Sequence, residues 1–401
     1  MDIIVNIIML NKKMIKAMTV VACAAGLVAC TKEKDVKPAG NPDDLKGRIT
    51  ESLTLEKGKT YRLTGSLQVV SPAVLTIEPG VTVVAVDNGE INYILIEQGA
   101  KIMAEGTASE PIVLTSEKKE SGAWGGLHIC GRAHSNRAPK PGESLTSEIG
   151  NAVYGGNIEN DNSGVLKYVR VEYSGYKLDA EHEANGISLY GVGNGTEISF
   201  VECYMGADDG IEFFGGSVNV DHCVVVDCTD DSFDWTEGWN GRGEYLVAYQ
   251  TDPTCDCLME CDNNGDDFNA TPVAHPTLNH ITLIGNNSSD NKKGIRLRAG
   301  TEVTLENALV CGKAEGIRGE TVQTLNALAS GKSVLHNVSL ETTFYEKVDD
   351  GQNSIYSSKE FLADGTNKEN AVFTFTDRFI GMTDGRGAVD ASDDWTSGWT
   401  R

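Results

Sequence analysis

Short stretches of β-branched and aromatic residues recur along most of the chain, and clusters of Gly, Asn and Asp separate them. Examples are VLTIEPGVTVVAV, LKYVRVEYSG, HCVVVDC and NHITLIGN. Apolar and polar positions alternate with a period near two, which is typical of strands with one buried face. No long segment has the period of a helix. The pattern therefore predicts an all-β protein built from short strands.

One motif repeats within this pattern: a polar residue and then a Gly or an equivalent residue, followed by an apolar, a polar and another apolar position. Its copies start at Asn185, Asp209, Asp231, Asp266, Lys293 and Glu315. The intervals are 22 to 27 residues, apart from one of 35. A coil of about 22 residues predicts a right-handed parallel β-helix, since each coil of a solenoid buries its apolar side only against its neighbours. A β-sandwich also has short strands, but it has no reason to repeat a motif in register.

The repeats also predict the domain organisation. A single β-helix domain is expected over residues 49–340, with loop insertions near 133–163 and 250–266. The second insertion explains the long interval, because TDPTCDCLMECDNNG is polar and rich in cysteine. Residues 341–401 are expected to add strands and a cap to the same domain, since an open end would expose unpaired strand edges. The tryptophans of the terminal DWTSGWTR are expected to pack over that end or to form a sugar platform.

The first residues have the layout of a bacterial lipoprotein signal peptide. Lysines precede a short apolar run that ends in LVAC, and we expect residues 1–29 to be removed and Cys30 to carry the lipid. An ordinary signal peptide is the alternative. Residues 30–48 lack apolar periodicity and are interpreted as a flexible tether. These features predict an outer-membrane lipoprotein of the cell envelope, periplasmic or surface-exposed, that meets the membrane only through its lipid anchor.

Charge and cysteine content narrow the classes of partner. The chain has 58 acidic and 34 basic residues and a formal charge of -24, so it would be repelled by phosphate backbones and no nucleic-acid partner is expected. Eight cysteines remain beyond Cys30, and their spacing is a poor zinc pattern. Disulfides or inert buried thiols are expected instead.

The repeated motif predicts a column of outward side chains, because neighbouring residues of a strand face opposite sides. The column would contain Ser188, Glu212, Asp234, Asn269, Arg296 and Arg318. Acidic pairs precede three of its strands, at 208–209, 230–231 and 266–267. Stacked carboxylates repel one another, so they must bind a cation, pair with a base or keep a proton.

Two interpretations of this acidic column stay open. In the first, Ca²⁺ is held by hard oxygen ligands, which are expected to be Asp208, Asp209, Glu212, Asp230, Asp231 and Asp234. A glycan or other extracellular ligand would then contact Glu212, Asp234, Trp239, Asn269 and Arg296, with Trp239 of TEGWNGRG as an exposed stacking surface. In the second, Asp and Gly recur only because every coil turns at the same place.

Several segments resemble a family of secreted or lipid-anchored bacterial proteins with the pectin-lyase-like β-helix fold. They include LTIEPGVTVVA, GAWGGLHICGRA, GADDGIEFFGG, TDDSFDW and DWTSGWT, and the resemblance covers roughly residues 50–400. Pectate lyases of similar fold use Ca²⁺ with an Arg or Lys base, and polygalacturonases use Asp residues on successive coils. The resemblance thus suggests Asp209, Asp231, Arg296 and Arg318 as catalytic candidates. The lyase motif and the His-Gly-His of the polygalacturonases are absent.

These observations favour a cell-envelope protein that binds a glycan or other extracellular ligand, including in an adhesin-like role. One alternative is a lyase or glycoside hydrolase that acts on acidic polysaccharide through the same face. Another is a purely structural surface protein. Substitution of Asp231 or Arg296 would separate the three, because an enzyme would lose turnover, a binder only affinity and a structural protein neither.

Overall fold

The structure, a computed structural model, describes residues 41–177, 183–346, 355–381 and 384–401. The expected signal peptide and Cys30 lie outside these ranges, so lipidation and export stay predictions. Within the described part, no helix is both long enough and apolar enough to span a membrane.

Short parallel strands dominate the described residues, as the alternating pattern predicts. The strands are β1 (Asp44–Ile49), β2 (Leu53–Leu55), β3 (Thr60–Val69), β4 (Val74–Ile77), β5 (Thr82–Ala85), β6 (Ile94–Ile96), β7 (Lys101–Glu105), β8 (Ile112–Ser116), β9 (Leu127–Cys130), β10 (Leu145–Thr146), β11 (Val153–Tyr154), β12 (Gly164–Glu172), β13 (Ile187–Tyr190), β14 (Glu197–Tyr204), β15 (Ile211–Phe214), β16 (Asn219–Val226), β17 (Phe233–Thr236), β18 (Arg242–Tyr249), β19 (Met259–Cys261), β20 (Thr277–Ile284), β21 (Lys293–Leu297), β22 (Thr304–Cys311), β23 (Glu315–Gly319), β24 (Val334–Leu340) and β25 (Phe344–Glu346). Two helices, α1 (Val322–Ser330) and α2 (Ser358–Leu362), complete the set.

The strands wind into coils with three faces. The first sheet contains β6, β9, β13, β15, β17, β19, β21, β23 and β25, each paired in parallel with the next. From β12 onward, each long strand belongs to the second sheet in its first half and to the third sheet in its second half. This arrangement is the right-handed parallel β-helix, and it confirms the predicted fold class.

A single left-handed residue bends each long strand between the second and third sheets. These residues are Tyr168, Phe200, His222, Tyr245, His280, Asn307 and Asn337, with φ between 49° and 56°. Asn tolerates this conformation, whereas aromatic residues seldom adopt it. Here the rings stack on one another, with centroids 4.4 Å apart for Tyr168 and Phe200 and 4.5 Å apart for Phe200 and His222. Stacking between coils therefore offsets the backbone strain. We call this row the corner ladder.

Residues 384–401 lie along the flank of the solenoid, which corrects the expectation that the terminal tryptophans pack over an end. The Ala388 N–H donates to Thr282 Oγ1 at 2.8 Å, and the Arg401 guanidinium pairs with the buried Glu172 at 3.0 Å. Trp395 and Trp399 contact the rings of the corner ladder edge-on. Trp399 is completely buried and cannot be a sugar platform. The segment acts as a strap across successive coils.

Candidate functional site

The first sheet aligns the outward column, with one correction to its membership. Strand pairing places Glu212 beside Asp234, Asp234 beside Glu260, and Glu260 beside Arg296. Glu260 thus takes the position predicted for Asn269, which lies in the loop between β19 and β20. The prediction failed because β19 lies inside the segment interpreted as an insertion. The long interval actually follows Cys261.

The acidic pairs lie in the turns that lead from the third sheet into the first. Asp208–Asp209 and Asp230–Asp231 occupy the predicted turns, and Asp256–Cys257 takes the place expected for the pair at 266–267. Asp209 Oδ1 accepts the N–H of Asp231 at 2.9 Å, and Asp231 Oδ1 accepts the N–H of Cys257 at 2.6 Å. One oxygen of each Asp therefore does form a turn ladder between coils, so the second interpretation explains part of the pattern.

Carboxylate oxygens of the turns and of the column converge on one surface, which we call the acidic face. It consists of Asp208, Asp209, Glu212, Asp230, Asp231, Asp234 and Glu260. Three overlapping triplets of these residues each bring their carboxylate oxygens within 4.8 Å of one another. All six predicted metal ligands therefore lie together. Sequence reasoning missed Glu260, although the apolar-acid-apolar order of Met259 to Cys261 was a usable signal.

Burial and mutual repulsion shift the acids of this face toward their protonated forms. Burial, reinforced by neighbouring carboxylates, raises the pKa of Asp209, Asp231 and Asp234 well above the usual range. Burial and the Asp230 charge raise the pKa of Asp208 to about 7. Burial also raises the pKa of Glu212 well above its usual value, although a 2.5 Å hydrogen bond from Asn185 Nδ2 to Glu212 Oε2 opposes the shift. Placing these charges together is costly without a cation.

The donor chemistry of the acidic face fits Ca²⁺. Carboxylate oxygens are the hard ligands that this ion prefers. Within the described residues, the six predicted ligands form no ion pair with Lys, Arg or His, and Asp234 Oδ1 is buried without a hydrogen-bond partner. Asp231 also lies near Asp256 and Cys257. Burial raises the pKa of the Cys257 thiol well above its usual value, which keeps that sulfur protonated and a poor ligand.

The arginines of the column form ion pairs with carboxylates other than the six predicted Ca²⁺ ligands. Arg296 pairs with Glu260 at 2.6 Å and with Glu320 at 3.1 Å. Arg318 pairs with Glu315 and Glu320, each at 2.6 Å. The change from acidic to basic positions along the column therefore coincides with a network of ion pairs. Arg296 therefore borders the acidic face, which it contacts through its ion pair with Glu260.

Trp239 is not the exposed stacking residue that its polar neighbours in the sequence predicted. It is 1% exposed and stacks on Phe213 with ring centroids 3.9 Å apart. Its indole N–H donates to the Val218 carbonyl at 3.1 Å. The polar residues of TEGWNGRG form the surrounding turn, while the ring itself fills the core. Trp239 is therefore unavailable to a ligand in this conformation.

The cysteines of the described residues are free and buried, including Cys255, Cys257 and Cys261. Of the two expectations, inert buried thiols match this structure and disulfides do not. Burial raises the pKa of the Cys130 and Cys223 thiols to about 12. These groups therefore pack as small apolar side chains.

The fold and the acidic face together define a right-handed parallel β-helix with an outward carboxylate cluster. Residues 47–400 match the model of the family described as pectate-lyase-like β-helix domain, and the chain belongs to that family. Membership suggests a carbohydrate-related function. Comparison with curated proteins gave no match, and comparison with solved structures gave none either.

Proposed function

We propose that the protein is an exported, lipid-anchored protein of the cell envelope that binds an extracellular glycan through Ca²⁺ on the acidic face. The observation that supports this most is the convergence of the carboxylates, because in each of the three triplets the oxygens lie within 4.8 Å of one another. Within the described residues, the six predicted ligands also form no ion pairs. A purely structural solenoid needs the turn ladder, but it does not need the additional acids Asp208, Asp230 and Asp234.

The residues of the acidic face would coordinate Ca²⁺ from two sides. Asp209 and Asp231 are nearly buried, and each already uses one oxygen in the turn ladder, so they would hold the ion from the inner side. Asp208, Asp230 and Asp234 are partly exposed and would close the site toward solvent. Bound Ca²⁺ would supply open coordination positions for carboxylate or hydroxyl oxygens of a glycan. Such a role suits an adhesin.

Binding is favoured over lyase chemistry by the state of the arginines. A base that abstracts a proton must be free to accept it, and Arg296 and Arg318 are each engaged by two carboxylates. Holding the guanidinium in ion pairs raises the pKa of Arg296 further above its usual range, although burial opposes the shift. A hydrolase would need one acid and one base among Asp209, Asp231 and their neighbours.

The first experiment measures Ca²⁺ binding to the folded mature protein by titration calorimetry, and then retention on immobilised polygalacturonate, alginate and hyaluronate with and without chelator. We expect calcium-dependent retention that is lost in Asp234→Asn. Asp266→Asn removes an exposed carboxylate of the same charge and should behave like wild type.

The same incubations are followed for new reducing ends and for unsaturated products. Product that forms with wild type and vanishes in Asp231→Asn would replace the binding proposal with an enzymatic one. Absence of both Ca²⁺ binding and retention would contradict the proposal and leave a structural role.

A further inference from the structure

Not every rung of the outward column is accessible to solvent. N-terminal to Glu212, its rungs are Ser188, His128 and Leu95, in the order given by strand pairing. All three side chains are fully buried, whereas Glu212 and Asp234 are partly exposed. The accessible rungs that contain the acidic face therefore begin at Glu212, and beyond the three buried rungs the column is accessible again at Gln68 and Arg48.

The inserted loop between β9 and β12 covers these first rungs. Ile149 and Tyr154 of the loop form an apolar cluster with Leu95, Tyr190 and Phe214, whose side chains project from the outer side of the first sheet. The Tyr154 hydroxyl donates to the buried Glu237 at 2.8 Å. The covering is thus packed by apolar contacts and anchored by a buried hydrogen bond.

The same loop reaches the strand that carries Glu212. Tyr154 of the loop packs against Tyr190, with ring centroids 5.2 Å apart, and Tyr190 stacks on Phe214 of β15 at 4.3 Å. After burial, the charge of Glu148 also contributes to the raised pKa of both Asp208 and Glu212.

The loop is also tied to the insertion that follows β19, because Asn136 Nδ2 donates to Asn263 Oδ1 at 2.8 Å and to the Pro272 carbonyl at 2.9 Å. The two insertions therefore support each other, and the loop between β9 and β12 forms a wall over the first rungs.

The opposite end of the column has no such wall among the described residues. Beyond Glu260 the rungs are Arg296, Arg318 and Tyr345, and Tyr345 is 43% exposed. The Arg318 guanidinium lies over the Tyr345 ring, 5.5 Å from its centroid. With a rung spacing of about 4.8 Å, the accessible rungs from Glu212 to Tyr345 extend over roughly 24 Å.

We infer that the acidic face binds the end of a polysaccharide chain rather than its interior. A chain that lies along the column meets the loop at the rung of Ser188, whereas at the other end of the described column Tyr345 is exposed. One terminus of the glycan must therefore stop beside Glu212 and Asp208. This inference rests on the proposed function and names the part of the glycan that is recognised.

The test is the amount of protein bound at saturation by size-fractionated hyaluronate, alginate and polygalacturonate, in Ca²⁺ and at concentrations too dilute to gel. At equal polysaccharide mass, recognition of chain ends makes the bound amount fall in inverse proportion to chain length. An amount that does not depend on chain length would overturn this inference and leave the proposed function intact. Failure of all three polysaccharides to bind would overturn both.

A loop variant gives a second readout. Replacing residues 147–152 by Asn-Gly keeps the pairing of β10 with β11 through a two-residue turn and removes the part of the loop that includes Glu148 and Ile149. We expect this variant to bind long chains along their length, so that the bound amount becomes independent of chain length. Val153→Ser, at an exposed position of the same loop, should keep the wild-type dependence. If the shortened variant fails to fold, the length dependence of the wild type still decides.

Discussion

Neutralising Asp208 should flatten the dependence of stability on pH in the calcium-free protein. In the unfolded chain an Asp titrates near pH 3.9, whereas burial and the Asp230 charge raise the pKa of Asp208 to about 7 in the fold. Between these values the folded state binds more protons than the unfolded state, so stability falls as pH rises. From pH 5 to pH 8 the loss from Asp208 alone is about 2 to 3 kcal/mol.

The assay is urea unfolding of wild type and Asp208→Asn at pH 5, 6, 7 and 8 with chelator present. The free energy of unfolding of wild type should fall by about 2 to 3 kcal/mol more than that of the variant over this range. Other groups also titrate here: the pKa of His128 is lowered to about 4 and that of Glu202 is raised to about 8, both mainly by burial. The contributions of His128 and Glu202 are common to both proteins and cancel in the difference. In addition to burial, the Asp208 charge raises the pKa of Asp209 and Glu212, so those two groups change the difference in the same direction as Asp208.

Calcium provides the complementary measurement. At pH 8, a Ca²⁺ concentration of about 100 times the Kd stabilises a single-site protein by about 2.7 kcal/mol, and the gain should be smaller in Asp208→Asn. Asp266→Asn, which removes an exposed carboxylate, should follow wild type in both experiments. Equal pH slopes for wild type and Asp208→Asn would refute the assignment of buried, repelling charge to the acidic face.

Three further predictions concern the frame around the acidic face. Trp239→Ala should lower the free energy of unfolding by about 3 to 5 kcal/mol in urea, because it empties a core position stacked on Phe213; a cost below 1 kcal/mol would contradict that packing. Arg401→Ala should cost about 1 to 3 kcal/mol and speed hydrogen exchange in the strap, since the buried Glu172 loses a partner. Lys313→Ala should increase proteolysis at residues 250–258, because the Lys313 ammonium donates to the Cys255 and Asp256 carbonyls; unchanged cleavage would rule out this anchoring role.

The parts of the fold that were predictable are those that local repetition encodes. The repeated Gly-apolar-polar-apolar motif identified the coils and placed Glu212, Asp234 and Arg296 in one column. Glu260 was missed because Leu258 replaces the small residue of the motif and because its cysteine-rich surroundings look like a loop. Because β19 was missing from the predicted coils, the outward position of its coil was assigned to Asn269 instead of Glu260.

Other features depend on tertiary contacts that leave little trace in the sequence. Nothing local marks Tyr168, Phe200 or Tyr245 as left-handed, because the aromatic stacking that stabilises them comes from neighbouring coils. The burial of Trp239 reflects the inner volume of one coil, while its sequence neighbours belong to a polar turn. The path of the strap is set by partners up to 229 residues away, such as Arg170, whose side chain bonds the Trp399 carbonyl.

The length of the chain connection is constant at the corner ladder and variable at the edge that carries the insertions. At the corner ladder the chain turns within one residue per coil from β12 to β24, so the length there is fixed by stacking. At the edge that follows the first sheet, the connection ranges from four residues, as in 215–218, to the whole stretch 131–163. New loops can be inserted or exchanged at this edge while strand pairing stays in register. These loops border the proposed glycan site, so exchanging them would change its selectivity without altering the core.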